Sequence, residues 1–363
     1  MEKIKRIAIL TGGGDCPGIN AVIRAVAKKA MLEYDMEIIG IEDGYHGLVV
    51  NRHRKLAYDD VSGILTLGGT ILGTSKTANP YKYGIQKGKN MEFTDVSDNV
   101  ISNVKKLNMD CLVCIGGDGT LGIAYKLWKD GIPIVGVPKT IDNDIKGTDI
   151  TFGFDSACAI ATEGIDRLHS TAQSHHRVMI IEVMGHNAGW IALHSGIAGG
   201  GDIILIPEIP YDIKAITEKV RERNKKGKRF SIVVIAEGSK PKGGDVVIKR
   251  IVKASQDPIR LGGVGFMLGD EIEKATGIET RTVVMGHLLR GGPPTSFDRV
   301  LATQLGTKAV DLVIKKEYGK MAAVDKGSFI GRPLEIAAEG PRVVPLNHML
   351  IESARSIGTS FGV

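Results

Sequence analysis

The sequence predicts an α/β protein of two domains, each with a mainly parallel sheet covered by helices. Short β-branched runs alternate with amphipathic stretches along 363 residues, an alternation that is typical of parallel sheets. The 47 glycines gather at the ends of apolar runs, which indicates tight turns between strands and helices. A single sheet holding every predicted strand would be unusually wide, so two domains are favoured.

The individual elements follow from hydrophobic periodicity. Strands are predicted at 4–10, 36–41, 111–116, 133–138, 176–184, 202–207 and 230–238. Helical patterns are predicted at 19–34, 97–107 and 212–226. The first of these helices is expected to start slightly earlier, near Pro17. A polar, glycine-containing stretch indicates a domain boundary near 145–155, and 238–245 is expected to be an exposed loop. The last residues, 352–363, carry no strong pattern.

Composition narrows the function classes. Hydrophobic residues make up 43% and charged residues 24%, as in ordinary globular proteins. The net charge of +6 comes without a dense Lys/Arg arm, which favours small phosphorylated substrates over nucleic acid or a membrane. The N-terminus lacks the apolar core of a signal peptide and no apolar run approaches a membrane span. We therefore expect a cytoplasmic protein without nucleic-acid or membrane partners.

The cysteines are too few for a disulfide framework. They stand at positions 16, 111, 114 and 158. Cys111 and Cys114 form a C-x-x-C motif on a predicted strand. Residues separated by three positions on a strand point to opposite faces, so the two thiols would not meet. The sequence also has no second C-x-x-C pair to complete a metal site. We interpret them as small core residues.

Two glycine turns predict phosphate binding. TGGGDCPG at 11–18 follows an apolar run and precedes a helix, although it matches neither common phosphate-loop spacing. GGDGT at 116–120 also follows a strand. Glycines let the main chain approach phosphate closely, helix N-termini supply N–H donors, and Asp118 can reach a Mg²⁺ that bridges the phosphates. Taken alone, either turn could be merely structural.

A third turn, VPKTIDNDIKGTD at 137–149, has the groups needed for phosphoryl transfer. Asp142 and Asp144 lie two apart behind Lys139 and Thr140. One carboxylate can act as a base toward an alcohol, and the ammonium can offset charge on the moving group. The alternative is an Asn/Asp-rich helix-capping turn.

Further polar residues are scattered near the ends of apolar runs. Arg177, Arg281, His287 and Arg290 occupy such positions, where ligand-binding residues gather in open α/β sheets. Arginine suits a sugar phosphate because its planar fork grips two oxygens. The basic run at 221–229 is interpreted as a solvated helix end rather than an effector site.

These motifs, in this order, resemble the 6-phosphofructokinase family from IAILTGGGDCPG to about residue 310. The resemblance implies Mg²⁺-assisted phosphorylation of the 1-hydroxyl of fructose 6-phosphate in glycolysis, and a homo-oligomer (dimer or tetramer) with shared active sites. It also implies a phosphoryl-donor domain at 1–150 plus about 289–339, and a sugar domain at about 151–288 plus 340–363.

The resemblance assigns roles motif by motif. Asp142 would be the base, supported by Thr140, Lys139 and Asp144, and Asp118 would hold the metal. The donor would contact Gly14, Lys76, Thr77, Gly117, Asp118, Gly119 and Thr120. The sugar phosphate would contact Thr140, Ile141, Asp142, Arg177, Met184, Gly185, His186, Glu237, Arg281, His287 and Arg290, with Arg177 and Arg281 supplied by a neighbouring subunit.

The donor is the point on which the motifs divide. Lys139 is typical of the pyrophosphate-dependent branch, which usually has Asp at the position of Gly119. Lys76 and His186 depart from the common bacterial ATP-dependent pattern, where both positions are Arg. The combination resembles an atypical ATP-dependent branch close to the pyrophosphate enzymes. Gly119 leaves room for ADP, so we predict ATP, with pyrophosphate as the alternative.

Other classes fit less well. NAD kinases and lipid kinases share a GGDGT turn but not TIDND with paired arginine segments. A nicotinamide oxidoreductase would need a different glycine spacing and an acidic ribose anchor. A non-catalytic sugar-phosphate-binding subunit would have lost catalytic residues, yet Asp118, Thr140 and Asp142 are all present.

Overall fold

Two separate sheets organise the chain in the computed structural model, which describes residues 3–88, 90–252 and 259–363. The strands are β1 (Arg6–Thr11), β2 (Glu37–Ile41), β3 (His53–Leu56), β4 (Tyr83–Lys87), β5 (Asn90–Thr94), β6 (Cys111–Gly116), β7 (Ile134–Pro138), β8 (Val178–Val183), β9 (Ile203–Leu205), β10 (Ser231–Ala236), β11 (Ile248–Ile251), β12 (Ile259–Leu261), β13 (Thr280–Val284), β14 (Lys320–Asp325) and β15 (Ser328–Pro333). The helices are α1 (Ile19–Tyr34), α2 (Tyr45–Val50), α3 (Ser97–Lys106), α4 (Asp118–Lys129), α5 (Phe154–His175), α6 (Trp190–Ala198), α7 (Ile213–Lys225), α8 (Val264–Thr276), α9 (Ser296–Ile314), α10 (Leu334–Ala337) and α11 (Met349–Ser356). Short 3-10 helices lie at Asp59–Val61, Ile64–Thr66, Pro80–Lys82 and Gly286–Arg290.

The larger sheet has the strand order β15-β14-β7-β6-β1-β2-β3. Its five inner strands are parallel, and the two edge strands are antiparallel. Strands β1, β6 and β7 are buried almost throughout, as expected when helices cover both faces. Their carboxyl ends therefore carry the three predicted turns to one edge of the sheet.

The smaller sheet, β13-β8-β10-β9, is parallel throughout. Two antiparallel hairpins, β4–β5 and β11–β12, lie outside both sheets. The larger sheet draws its strands from 6–138 and 320–333, and the smaller from 178–284. The domain division at 1–150, 151–288, 289–339 and 340–363 stays a prediction.

The core confirms the interpretation of the cysteines. Cys111 and Cys114 are both buried free thiols, and they belong to apolar clusters on opposite sides of β6. Helix α1 packs against α9 so closely that a Cβ on Gly306 would lie 2.8 Å from the Cβ of Ala25. Glycine is required there because backbones in such close contact leave no room for a side chain.

Most predicted elements are confirmed, and two predictions need correction. The first helix begins at Ile19 rather than near Pro17, because Gly18 adopts a left-handed φ of 102° that only glycine takes readily. The C-terminus, which showed no strong pattern, forms α11 and buries Phe361 at 2% exposure. Within the described ranges, none of the helices combines the length and apolarity needed to cross a bilayer.

Candidate active site

The first glycine turn is held by its main chain. The Gly12 N–H donates to the Ile115 carbonyl at 2.9 Å, and the Gly13 N–H donates to the Ser75 carbonyl at 3.2 Å. The Gly14 carbonyl accepts from the Lys139 ammonium, and the Asp15 carbonyl accepts from Arg290 Nη1 at 3.1 Å. The turn is therefore tied to residues of four other segments rather than to a lysine of its own.

The second turn interlocks with the first through Thr120. A Cβ on Gly12 would lie 2.7 Å from Thr120 Cγ2, and a Cβ on Gly116 would overlap the Thr120 Cβ. Tyr45, buried beneath, donates its hydroxyl to the Thr120 carbonyl at 2.8 Å. The Thr120 hydroxyl oxygen is itself buried without a hydrogen-bond partner among the described residues. Gly117, Asp118 and Gly119 line the open side of this turn at the start of α4.

The third turn carries the candidate base. The Asp142 N–H donates to Thr140 Oγ1 at 3.0 Å, and that hydroxyl lies 3.4 Å from Asp142 Oδ2. Asp142 Oδ1 is buried with no hydrogen-bond partner in the described ranges. Burial raises the pKa of Asp142, although the charges of Arg290, His186 and Lys139 oppose that rise. A buried, unpartnered carboxylate oxygen near Arg290 and Lys139 is arranged to accept a proton from a bound hydroxyl.

Three carboxylates share this region. Burial and the charges of Asp142 and Asp118 raise the pKa of Asp144 to about 8. Mutual repulsion of this kind is relieved by a divalent cation, and oxygen ligands suit Mg²⁺. In the part of the chain that the structure describes, no group of three or more His, Cys, Asp or Glu forms a complete metal site. The residues fit Mg²⁺ in its usual mode, held by one or two carboxylates together with substrate phosphates.

Several cationic side chains lie near the first and third turns. Lys139 is 4% exposed, and burial lowers the pKa of its ammonium. Burial and the charges of Arg290, Arg260 and Lys139 lower the pKa of Lys76 to about 8. Arg260, on β12, was missed by the sequence analysis, which assigned nothing to its segment. Like charges crowded in this way are favourable only next to a polyanion.

Four of the predicted sugar-binding residues follow the carboxyl ends of two strands in the smaller sheet. Met184, Gly185 and His186 follow β8, and Glu237 follows β10, where its carboxylate accepts the His186 N–H at 3.2 Å. Burial and the charge of Asp142 raise the pKa of Glu237 to about 7. Because the charge of Asp142 acts on Glu237, these predicted sugar-binding residues lie near the candidate base.

The 3-10 helix after β13 supplies Arg290. Its guanidinium lies against the first glycine turn, and its Nε is buried without a hydrogen-bond partner among the described residues. His287 is exposed on the same short helix. Ile141 is 1% exposed and belongs to the apolar core, so only its main chain is available to a ligand.

Arg177 and Arg281 lie elsewhere. They are at the amino ends of β8 and β13, where Val178 pairs with Thr280, whereas Met184 and His287 follow the carboxyl ends of the same strands. A strand of six residues spans roughly 20 Å. Both arginines bind the carboxylate of Glu279, Arg177 through Nε at 2.6 Å. Within one chain the structure therefore does not bring these two arginines to Asp142.

A cleft of about 410 Å³ borders the first turn. Its lining comprises Asp43, His46, Thr74, Ser75, Thr77, Ala78, Tyr83, Gly84 and Met91. Thr74 also donates its hydroxyl to the Gly13 carbonyl at 2.8 Å, so the wall of the cleft and the glycine turn are one structure. Of these residues only Thr77 was predicted from the sequence. The hairpin β4–β5, which contributes Tyr83, Gly84 and Met91, has no recognisable motif.

Comparisons with known proteins agree with this geometry. Residues 6–313 match the family described as Phosphofructokinase. The chain is 52% identical to ATP-dependent 6-phosphofructokinase 2 of Clostridium perfringens, over 99% of each sequence. It is 48% identical to the pyrophosphate–fructose 6-phosphate 1-phosphotransferase of Amycolatopsis methanolica, over 94% of this chain and 96% of that one. In fold it is similar to the pyrophosphate-dependent phosphofructokinase of Marinobacter aquaeolei, with a TM-score of 0.81 at 20% identity over 98% of this chain and 92% of that one.

Proposed function

This chain belongs to the phosphofructokinase family, and from that premise we propose that it is an ATP-dependent 6-phosphofructokinase acting in glycolysis. The reaction is transfer of the terminal phosphoryl group of ATP to the 1-hydroxyl of fructose 6-phosphate. The observation that carries the proposal is Asp142, a buried carboxylate with an unpartnered oxygen between the cations of the donor turn and the residues after β8 and β10.

In the proposed reaction Asp142 takes the proton of the sugar's 1-hydroxyl. That oxygen bonds to the γ-phosphorus as the bond from phosphorus to the β–γ bridging oxygen breaks, and ADP leaves. Lys139 and Arg290, tied to the carbonyls of Gly14 and Asp15, would face the charge of the moving group. Thr140, whose hydroxyl contacts Asp142, would help to orient the base. Such catalysis is mostly positioning and charge stabilisation.

Asp118, with Asp144 nearby, would hold Mg²⁺ together with the phosphates of the donor. When bound, the ion neutralises negative charge on the phosphates. Without it the three carboxylates and a triphosphate would repel one another. Burial, followed by the charges of Asp142 and Asp118, already raises the pKa of Asp144.

The sugar phosphate would be bound from two chains. Glu237, Met184, Gly185, His186 and His287 would contact the sugar. Arg177 and Arg281, which lie at the amino ends of β8 and β13, would grip the 6-phosphate in the site of a neighbouring subunit. Their shared carboxylate, Glu279, holds both guanidinium groups side by side, which suits a two-pronged grip on phosphate. A homo-oligomer with shared active sites follows from this proposal.

ATP is favoured over pyrophosphate for a steric reason. Gly119, at the open side of the second turn, carries no side chain to obstruct an α-phosphate, and the 410 Å³ cleft beside the first turn is large enough for a nucleoside. Lys139 binds the Gly14 carbonyl and does not fill this cleft.

The test is a donor panel. At saturating fructose 6-phosphate and Mg²⁺, we expect turnover with ATP and little with pyrophosphate. Turnover with pyrophosphate alone would refute ATP as the donor while keeping the acceptor. Phosphorylation of NAD in place of fructose 6-phosphate would refute the acceptor.

A further inference from the structure

The segment that follows α10 lies against the loop that carries Asp142. Pro341 forms an antiparallel bridge with Ile145. The Arg342 N–H donates to the Asp144 carbonyl at 2.6 Å, and Arg342 Nη2 donates to the Asn143 carbonyl at 2.8 Å. One residue from the last part of the chain therefore binds two consecutive carbonyls of the catalytic loop.

Arg342 is itself firmly held. Its guanidinium lies over the ring of Trp190, 4.5 Å from the ring centre, and Trp190 Nε1 donates to the Arg342 carbonyl at 2.9 Å. Trp190 is 4% exposed. Two residues on, the Val344 N–H donates to Glu208, whose carboxylate also accepts the Gly189 N–H at the start of α6. A stacked, desolvated guanidinium of this kind is a rigid anchor.

The middle residue of the loop has an uncommon backbone conformation. Asn143 has φ of 53°, in the left-handed region, which asparagine enters more readily than most non-glycine residues. Its side chain accepts from the Thr151 N–H at 3.0 Å, and its carbonyl is the acceptor of Arg342. Asp142 and Asp144 flank this residue, so a relaxation at Asn143 would move both carboxylates.

We propose that Arg342 is a positioning residue for phosphoryl transfer. It fixes the main chain at Asn143 and Asp144 and thereby holds the Asp142 carboxylate at the place where the acceptor hydroxyl binds. The proposal rests on the proposed function, because it assigns Asp142 as the base. In this role Arg342 acts through the main chain of the loop and not on a substrate, so its effect is on turnover rather than on binding.

The test compares R342M, R342K and the control R355M. Methionine keeps much of the apolar stem over Trp190 and the main-chain bond to Asp144, but loses the donor to Asn143. Arg355 is also in the C-terminal segment and stacks on an aromatic ring, with its guanidinium 5.4 Å from the centre of Phe361. The wild-type donor panel is run first, so that failure of the proposed function is detected independently of Arg342.

We expect R342M to lower kcat by ten- to a hundredfold, the order of loss that a displacement of about 1 Å produces. KM for fructose 6-phosphate and for ATP should stay within about threefold of wild type. R342K should regain part of kcat because an ammonium can still donate to the Asn143 carbonyl. R355M should leave kcat within about twofold.

The proposal is overturned if R342M turns over at the wild-type rate, or if R342M and R355M lose kcat equally. It is also overturned if R342M fails to fold while R355M folds, since Arg342 would then be a structural anchor. An R342M defect confined to KM would assign Arg342 to binding and equally reject the positioning role.

Discussion

Replacing Gly14 with alanine tests how the first glycine turn and Arg290 depend on each other. A Cβ on Gly14 would overlap Arg290 Nη1 and would lie 3.0 Å from Arg290 Cζ and 3.2 Å from Lys76 Cε. Non-bonded heavy atoms settle near 3.5–4.0 Å, so the guanidinium must move by roughly an ångström. Both obstructing groups are the ends of flexible side chains. The enzyme should therefore stay folded while Arg290 leaves its place.

The size of the effect follows from what Arg290 does in that place. It donates to the Asp15 carbonyl at 3.1 Å, and its charge opposes the raised pKa of Asp142 and of Glu237. Arg290 is also a proposed contact of the bound sugar phosphate, and losing one charged hydrogen bond to that ligand in the transition state costs about 1.5–3 kcal/mol. At about 1.4 kcal/mol per tenfold change in rate, kcat/KM for fructose 6-phosphate should fall by roughly 10- to 150-fold.

The assay is steady-state kinetics at saturating ATP, with thermal unfolding measured on the same preparations. Gly122→Ala on α4 is the matched control, because its Cβ would meet only the Cβ of Ala338 at 3.9 Å. That variant should keep its activity within about twofold and gain up to about 1 kcal/mol of stability, since alanine favours helix. In an Arg290→Ala background, adding Gly14→Ala should cost little. Full additivity of the two losses, or wild-type kcat/KM in Gly14→Ala, would show that Arg290 does not depend on Gly14 for its place.

Three further outcomes are expected. Asp142→Asn should lower kcat by about 10²- to 10⁴-fold with little change in KM, as loss of a general base does. Steady-state kinetics measures both constants, and an unchanged kcat would reject Asp142 as the base. Because the pKa of Lys76 is lowered to about 8, its charge is lost as pH rises through about 8, and kcat/KM for ATP should fall there. Lys76→Arg stays charged and should remove that alkaline fall; identical pH profiles would disprove the assignment. Tyr45→Phe should lower the free energy of unfolding by about 1 kcal/mol in urea, because the Thr120 carbonyl loses the hydroxyl that donates to it.

The parts of the fold that sequence predicted well are the buried parallel strands. The predicted strand at 111–116 coincides with β6, and the predicted helix at 19–34 coincides with α1, because continuous apolar runs and amphipathic periodicity leave few alternatives. Hairpin β4–β5 was missed because β5 is exposed throughout, and a solvated hairpin carries no burial pattern. Helix α9 buries one face, with buried residues recurring at three- and four-residue spacing. Phe297 and Val300 are exposed on the same helix, so the sequence shows no clear contrast between an apolar and a polar face.

Some residues of the candidate site could likewise be predicted from the sequence, and others could not. The turns after β1, β6 and β7 were predictable because parallel strands bring their carboxyl ends to one edge. Arg342 could not be found from sequence, since its role depends on a bridge to Ile145 and on the ring of Trp190, both distant along the chain. The position of Arg281 was equally hidden, because only the register of β13 against β8 fixes which end of the sheet it occupies.

The strand order of the larger sheet has a consequence for synthesis of the protein on the ribosome. β7 is complete at Pro138, but β14, its neighbour, begins only at Lys320. At 5–20 residues per second, about 10–40 s pass between the two. During that interval β7 is an open, apolar edge, the kind of edge that recruits other chains. The smaller sheet, whose strands lie within 178–284, is synthesised completely during the same interval. Nascent chains stalled before residue 320 should therefore aggregate or bind chaperones, and release should follow once β14 and β15 emerge.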